Sequence, residues 1–126
     1  MSPADDTRSR LLDAAGKIFA SKGFDQATIR DICQSAEANV AAVHYYFGDK
    51  VRLYIEAVRE AQCARIEDVP IPDWPAHMHA EDRLRDFIKM FLTRLLGKGR
   101  PDWHLLLMLR ELANPTEACA EIVRDY

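Results

Sequence analysis

Residues Thr28 to Lys50, TIRDICQSAEANVAAVHYYFGDK, decide the fold. Ile29, Ile32, Cys33 and Ala36 recur at helical spacing, and Val40, Val43 and Phe47 do so again after a break. The stretch therefore reads as two short helices and the start of a third. Helices of two or three turns are marginal in water and must be held by packing, which leaves their other side for a partner. Thr28 and Asn39 are N-cap residues, Gly48 can stop the second helix in a left-handed conformation, and Asp49 caps the helix that follows. A helix, a tight turn and a second helix whose open face carries Asn39, Ala41, Ala42, His44 and Tyr45 is the plan of a helix-turn-helix that reads DNA.

Working outward toward the N-terminus, residues 1–6 read as a short polar tail. Residues 7–22 read as a helix, with Leu11, Ala14, Ala15, Ile18 and Phe19 on one side. Gly16 inside this helix costs about 1 kcal/mol against alanine unless it admits a close neighbour, so it is expected to be a packing point. Gly23 stops the helix, and Phe24 to Ala27 form a loop. The two short helices are expected over 28–35 and 39–46.

Toward the C-terminus a long helix is expected over 49–67, with Leu53, Ala57 and Ala61 in one row, Tyr54 and Val58 beside it, and Arg52, Arg59 and Glu60 solvated. Residues 68–79 hold Pro70, Pro72 and Pro75 and form a connector that no helix interior would tolerate. A broad apolar stripe (Leu84, Phe87, Ile88, Phe91, Leu92, Leu95, Leu96) then predicts a helix over 80–97, closed by Gly97 and Gly99. Two more are expected over 102–113 and 115–125. For the last, Asn114 reads as cap, Pro115 as first helical residue and Glu117 as the acid three after the cap. The fold class is all-α with no sheet. Ala118, Ile122 and Val123 have no closing Gly or Asn after them, so the final helix looks interrupted at Tyr126 rather than finished.

Composition sets the outer limits on function. The net charge of −3 excludes a general polyanion binder, so any DNA contact must come from a few placed cations and amide dipoles. The longest apolar run, Leu105 to Leu109, is far short of the ~18 residues a membrane helix needs, and no signal peptide opens the chain, so a cytoplasmic protein is expected. Cys33, Cys63 and Cys119 are too widely and irregularly spaced for a disulfide framework and are expected to be reduced packing residues. His77 and His79 fit no zinc motif, and neither a phosphate loop nor a nucleophile elbow is present. The expectation is a protein that is not an enzyme and holds no cofactor or metal.

Leu12, Ala14, Ala15, Phe19, Gly23, Phe24 and Thr28, followed by Arg30, Ile32, Ala36, Tyr45-Tyr46-Phe47, Lys50 and Leu53, resemble the DNA-binding signature of the TetR/AcrR family of bacterial transcriptional regulators. The resemblance covers roughly the first 60 residues. It implies a helix-turn-helix head over 1–48, a connecting helix over 49–67 and a partial ligand-sensing and dimerisation body over 68–126. It also implies a homodimeric repressor that binds a palindromic double-stranded operator and is released by a small apolar or amphipathic effector. Carried residue by residue, it assigns DNA contact to Thr28, Arg30, Asn39, Val40, Ala41, Ala42, His44, Tyr45, Tyr46 and Lys50. For the effector it suggests Phe87, Met90, Phe91, Trp103, His104 and Met108, although these types at helical spacing are first of all core. Where the family usually places Gly in the turn, this chain has Glu37 followed by Ala38. The alternative reading is a truncated helical module that binds a partner chain and no longer binds DNA.

Overall fold

The computed structural model describes residues 3–68, 72–97 and 100–124. The helices are α1 (Pro3–Lys22), α2 (Ile29–Ala36), α3 (Val40–Tyr46), α4 (Lys50–Asp68), α5 (Ala80–Leu96), α6 (Asp102–Ala113) and α7 (Glu117–Arg124), with no strand among the described residues. Of the features read from sequence, Pro70, Gly99, the last helix beyond Arg124 and the side chains of Cys63 and Leu95 lie outside the described residues.

Two helix starts differ from expectation by more than one residue. The supposed tail is helical from Pro3 onward. Proline at a first helical position has no N–H to leave unpaired, Asp5 and Asp6 sit at the positive end of the helix, and Arg10 Nη1 donates to Asp6 at 2.8 Å. The last helix begins at Glu117 rather than Pro115. Asn114, expected as its cap, instead closes α6, its N–H donating to the Arg110 carbonyl at 2.9 Å. The start of α7 is held by Glu111, whose Oε1 accepts from the Thr116 N–H (2.7 Å), the Thr116 hydroxyl (2.8 Å) and the Cys119 N–H (3.1 Å). An ionised acceptor binds these donors more strongly than a neutral amide would.

Glu111 is buried, and its other oxygen accepts from the Tyr54 hydroxyl of α4. Burial, and then the bond to Glu111, push the Tyr54 phenol far above its ordinary range. The Tyr54 ring meets Phe19 and Phe24 edge-on at 5.0 and 5.1 Å between centroids. One core thus runs from the head through α4 into α6 and α7, with Leu11, Phe19, Ile32, Val43, Leu53 and Leu107 fully buried along it.

α6 is tied to α1 at both ends. A Cβ on Gly16 would overlap the Trp103 indole, so Gly16 is the packing point the sequence suggested. Trp103 Nε1 donates to Asp13 at 3.1 Å. One helix end away, the Arg110 guanidinium donates to the Ala20 (2.5 Å) and Ser21 (2.9 Å) carbonyls and closes the C-terminus of α1. α7 is tied to α4 through Glu121, which accepts from Arg52 at 2.5 Å and Arg59 at 3.4 Å. Arg52 is exposed as expected and Arg59 is half-buried; the unforeseen neighbour is α7. α5 packs on α4, buries Met90 and turns Leu84, Phe87, Ile88, Phe91, Leu92 and Leu96 to solvent.

Candidate nucleic-acid interface

The candidate surface is built on three local caps. Thr28 is extended and its hydroxyl oxygen accepts from the Asp31 N–H at 3.1 Å, starting α2. The Thr28 hydroxyl, and after it Lys22 at 3.4 Å, hold the Asp31 carboxyl below its ordinary range. Asn39 Oδ1 accepts from the Ala42 N–H at 2.9 Å and starts α3, and Asp49 Oδ1 accepts from the Arg52 N–H at 2.8 Å at the start of α4.

Between α2 and α3 the chain reverses through Glu37, which takes the left-handed conformation at φ 55, ψ 44. The Ala38 N–H then donates to the Cys33 carbonyl at 3.0 Å, and Arg10 Nε donates to the Ala36 carbonyl at 3.2 Å. The turn keeps the backbone that glycine would adopt without strain, and a side chain bears that conformation instead. α3 ends on the Val43 carbonyl, which accepts from the N–H groups of Phe47 (2.9 Å) and Gly48 (3.1 Å), with Gly48 at φ 95.

This geometry sorts the ten residues assigned to DNA. Val43 and Phe47 point into the core, and Ala42 and Tyr46 are half-buried beside them. Val40, Ala41, His44 and Tyr45 form an outward strip at spacing i, i+1, i+4, i+5, with Tyr45 at 81% exposure. The Tyr45 ring stands edge-on to Tyr46 at 4.9 Å. Asn39 lies at the N-terminal end of the strip. Its oxygen caps α3, and its amide NH₂ makes no bond in the cap and is left to donate outward. Thr28 and Arg30 are exposed together at the start of α2. Lys50 is not extended toward the strip: its Nζ rests 4.5 Å from the centre of the Phe24 ring.

The six residues suggested for an effector are not gathered. Trp103 and His104 are buried against α1, their rings 4.2 Å apart, and line a cleft of about 240 Å3 with Ser9, Asp13 and Glu60. Met108 is half-buried on the same core, and Met90 is buried on α5. Phe87 and Phe91 stack on each other 6.3 Å apart on the exposed side of α5. Sequence reasoning missed Arg110 and Glu111, the adjacent pair that fastens α6 to α1, α4 and α7. The available signal was an acid in the row of His104, Leu107 and Glu111, all on the buried side of an otherwise apolar helix.

Two stretches of the chain match known families. Residues 11–57 match the family model described as bacterial regulatory proteins, tetR family, and residues 80–126 match the C-terminal domain of the HTH-type transcriptional dual regulator CecR. The HTH-type transcriptional repressor NicS of Pseudomonas putida is 40% identical over 55 residues, 44% of this chain and 26% of that protein. The HTH-type nicotine-responsive transcriptional repressor HdnoR of Paenarthrobacter nicotinovorans is 34% identical over 65 residues, 52% of this chain and 34% of that protein. The matched stretch thus spans a quarter to a third of these relatives. A crystal structure of a HlyIIR mutant superposes with a TM-score of 0.72 at 23% identity, over 96% of this chain and 66% of that one, a likeness of fold.

Proposed function

We propose, on the premise that residues 11–57 make this chain a member of the tetR family of bacterial regulatory proteins, that it is a sequence-specific DNA-binding transcriptional repressor. It acts in the cytoplasm as a homodimer on a palindromic operator and is released by a small apolar or amphipathic effector. Residues 1–48 form the head, 49–67 the connecting helix, and 68–126 part of the body that takes the effector and the second subunit. The observation that carries this reading is the outward strip Val40, Ala41, His44 and Tyr45, on a helix held by α1 and α2. An α-helix presented in this way fits the major groove.

Within that reading the polar groups divide. Thr28, Arg30, Tyr46 and Lys50 serve phosphates; Lys50 leaves the Phe24 ring to do so. Val40, Ala41, Ala42 and His44 meet base edges. Asn39 donates its amide from the start of the helix, and Tyr45 reaches the backbone. The chain's negative charge keeps non-specific binding weak, so these few contacts must carry affinity.

The test is to enrich duplexes from a randomised pool with the parent protein and measure binding by fluorescence anisotropy against salt. Lys50→Ala is expected to weaken binding to enriched and random duplexes alike and to lower the salt slope by about one. Sequence preference should survive. A parent that enriches no duplex would reject the repressor reading. The partner-binding module would then be favoured by the uncovered apolar side of α5.

A further inference from the structure

His44 lies one helical turn before Gly48, and its Nδ1 is 2.8 Å from the Gly48 carbonyl oxygen. A carbonyl only accepts, so Nδ1 must carry the proton. A neutral imidazole has one N–H, which leaves Nε2 as a bare acceptor. The bond also fixes the ring, because turning it over would put a carbon against the carbonyl. His44 is exposed, in the outward strip between Ala41 and Tyr45. Its side chain therefore divides its two nitrogens between the α3–α4 turn and the surface offered to DNA.

A bare nitrogen does not pair with a phosphate oxygen, which is itself an acceptor. In the major groove the complementary groups are the exocyclic amines, N6 of adenine and N4 of cytosine, whereas guanine and thymine present acceptors there. Of its neighbours on the strip, Val40 and Ala41 offer apolar contact alone, and the Tyr45 hydroxyl, at the far end of a ring that reaches toward the backbone, is the other group there that can accept. We infer that His44 is a specificity-determining residue that reads an amine-bearing base, adenine or cytosine, through Nε2 while Nδ1 secures the turn at Gly48. This rests on the DNA-binding reading of α3 and deepens it.

Two substitutions separate the nitrogens. His44→Gln places an amide oxygen near the position of Nε2 and gives up the bond to Gly48. His44→Asn keeps a donor near Nδ1 and removes the group facing DNA. On the duplex enriched by the parent, His44→Gln is expected to recover most of the affinity that His44→Asn loses. His44→Asn should lose roughly three- to tenfold, the worth of one hydrogen bond, with binding to random duplex unchanged. The loss should vanish when the amine-bearing base is exchanged for guanine or thymine. Independently of DNA, long-range nitrogen–proton NMR of the free protein should show the ring protonated at Nδ1 and bare at Nε2.

An Nε2–H ring in that spectrum would overturn the inference. So would an equal loss for His44→Asn on enriched and random duplexes with a shallower salt slope, the mark of a phosphate contact. In either case the parent would still enrich a duplex and the repressor reading would stand. If the parent enriches none, that reading falls and the inference falls with it.

Discussion

Phe19 and Phe91 occupy similar apolar rows on two long amphipathic helices, yet Phe19 is fully buried and Phe91 is 43% exposed. The difference lies in the neighbours. α1 is met by α2, α3, α4 and α6, so every side of its apolar row finds cover. α5 is met by α4 and leaves its outer row in solvent. Periodicity tells which side of a helix is apolar; what covers that side depends on elements elsewhere in the chain. The head and the outer side of the body should therefore respond to substitution in opposite ways.

The largest effect is expected in the head. Phe19→Ala removes a ring that packs on Tyr54 and Phe24, and should cost about 3–5 kcal/mol in urea unfolding. A loss below about 1 kcal/mol would mean the head core collapses around the gap, which a tightly packed interior does not readily do. Next comes the joint between head and body. Glu111→Gln keeps the shape but replaces an ionised acceptor of four hydrogen bonds with an amide whose NH₂ faces donors, and should cost roughly 1.5–3 kcal/mol. The same unfolding experiment, with near-ultraviolet dichroism of Tyr54 as a second probe, checks it.

Glu111 also marks where the sequence stopped being legible. The starts at Thr28, Asn39 and Asp49 were readable because each cap is a bond from a side chain to a backbone N–H three residues on, and the rule is local. Asn114 obeys the same local pattern and is not used. Glu111 takes its place because Tyr54, 57 residues away, buries it beside the incoming α7. The turn at Glu37 is read from the family resemblance, which places glycine there, and the left-handed backbone at Glu37 agrees with that expectation. The effector set, which the family resemblance suggested, spans two environments that spacing cannot distinguish, since Phe87 and Phe91 are exposed whereas Trp103 and His104 are buried. The double use of His44 was equally hidden, because which ring nitrogen meets Gly48 is a matter of rotamer.

A smaller effect, of opposite sign, is expected at the turn. Glu37 holds a left-handed conformation that costs an ordinary residue about 1–2 kcal/mol, while glycine gives back part of the gain through its freedom when unfolded. Glu37→Gly should therefore be more stable by roughly 0.4–1 kcal/mol. A measured loss would show that the Glu37 side chain, which shares a surface cleft with Arg10 and Lys17, contributes more than its backbone costs.

The smallest effect is expected at Phe91, and it tests the comparison most directly because the substitution is drastic and the response should be slight. Phe91 stacks on Phe87 with the rings 15° apart, but both lie at an exposed face, so removing one ring exposes little that water does not already reach. Phe91→Ser should change the unfolding free energy of dilute protein by no more than about 0.5 kcal/mol. Its effect should fall on association, since a row of six exposed apolar side chains on one helix forms a patch that drives self-contact as concentration rises. Sedimentation velocity across a concentration series, parent beside variant, reads that difference. If Phe91→Ser instead costs several kcal/mol at every dilution, the row is covered in solution as firmly as Phe19 is, and the contrast between the two helices disappears.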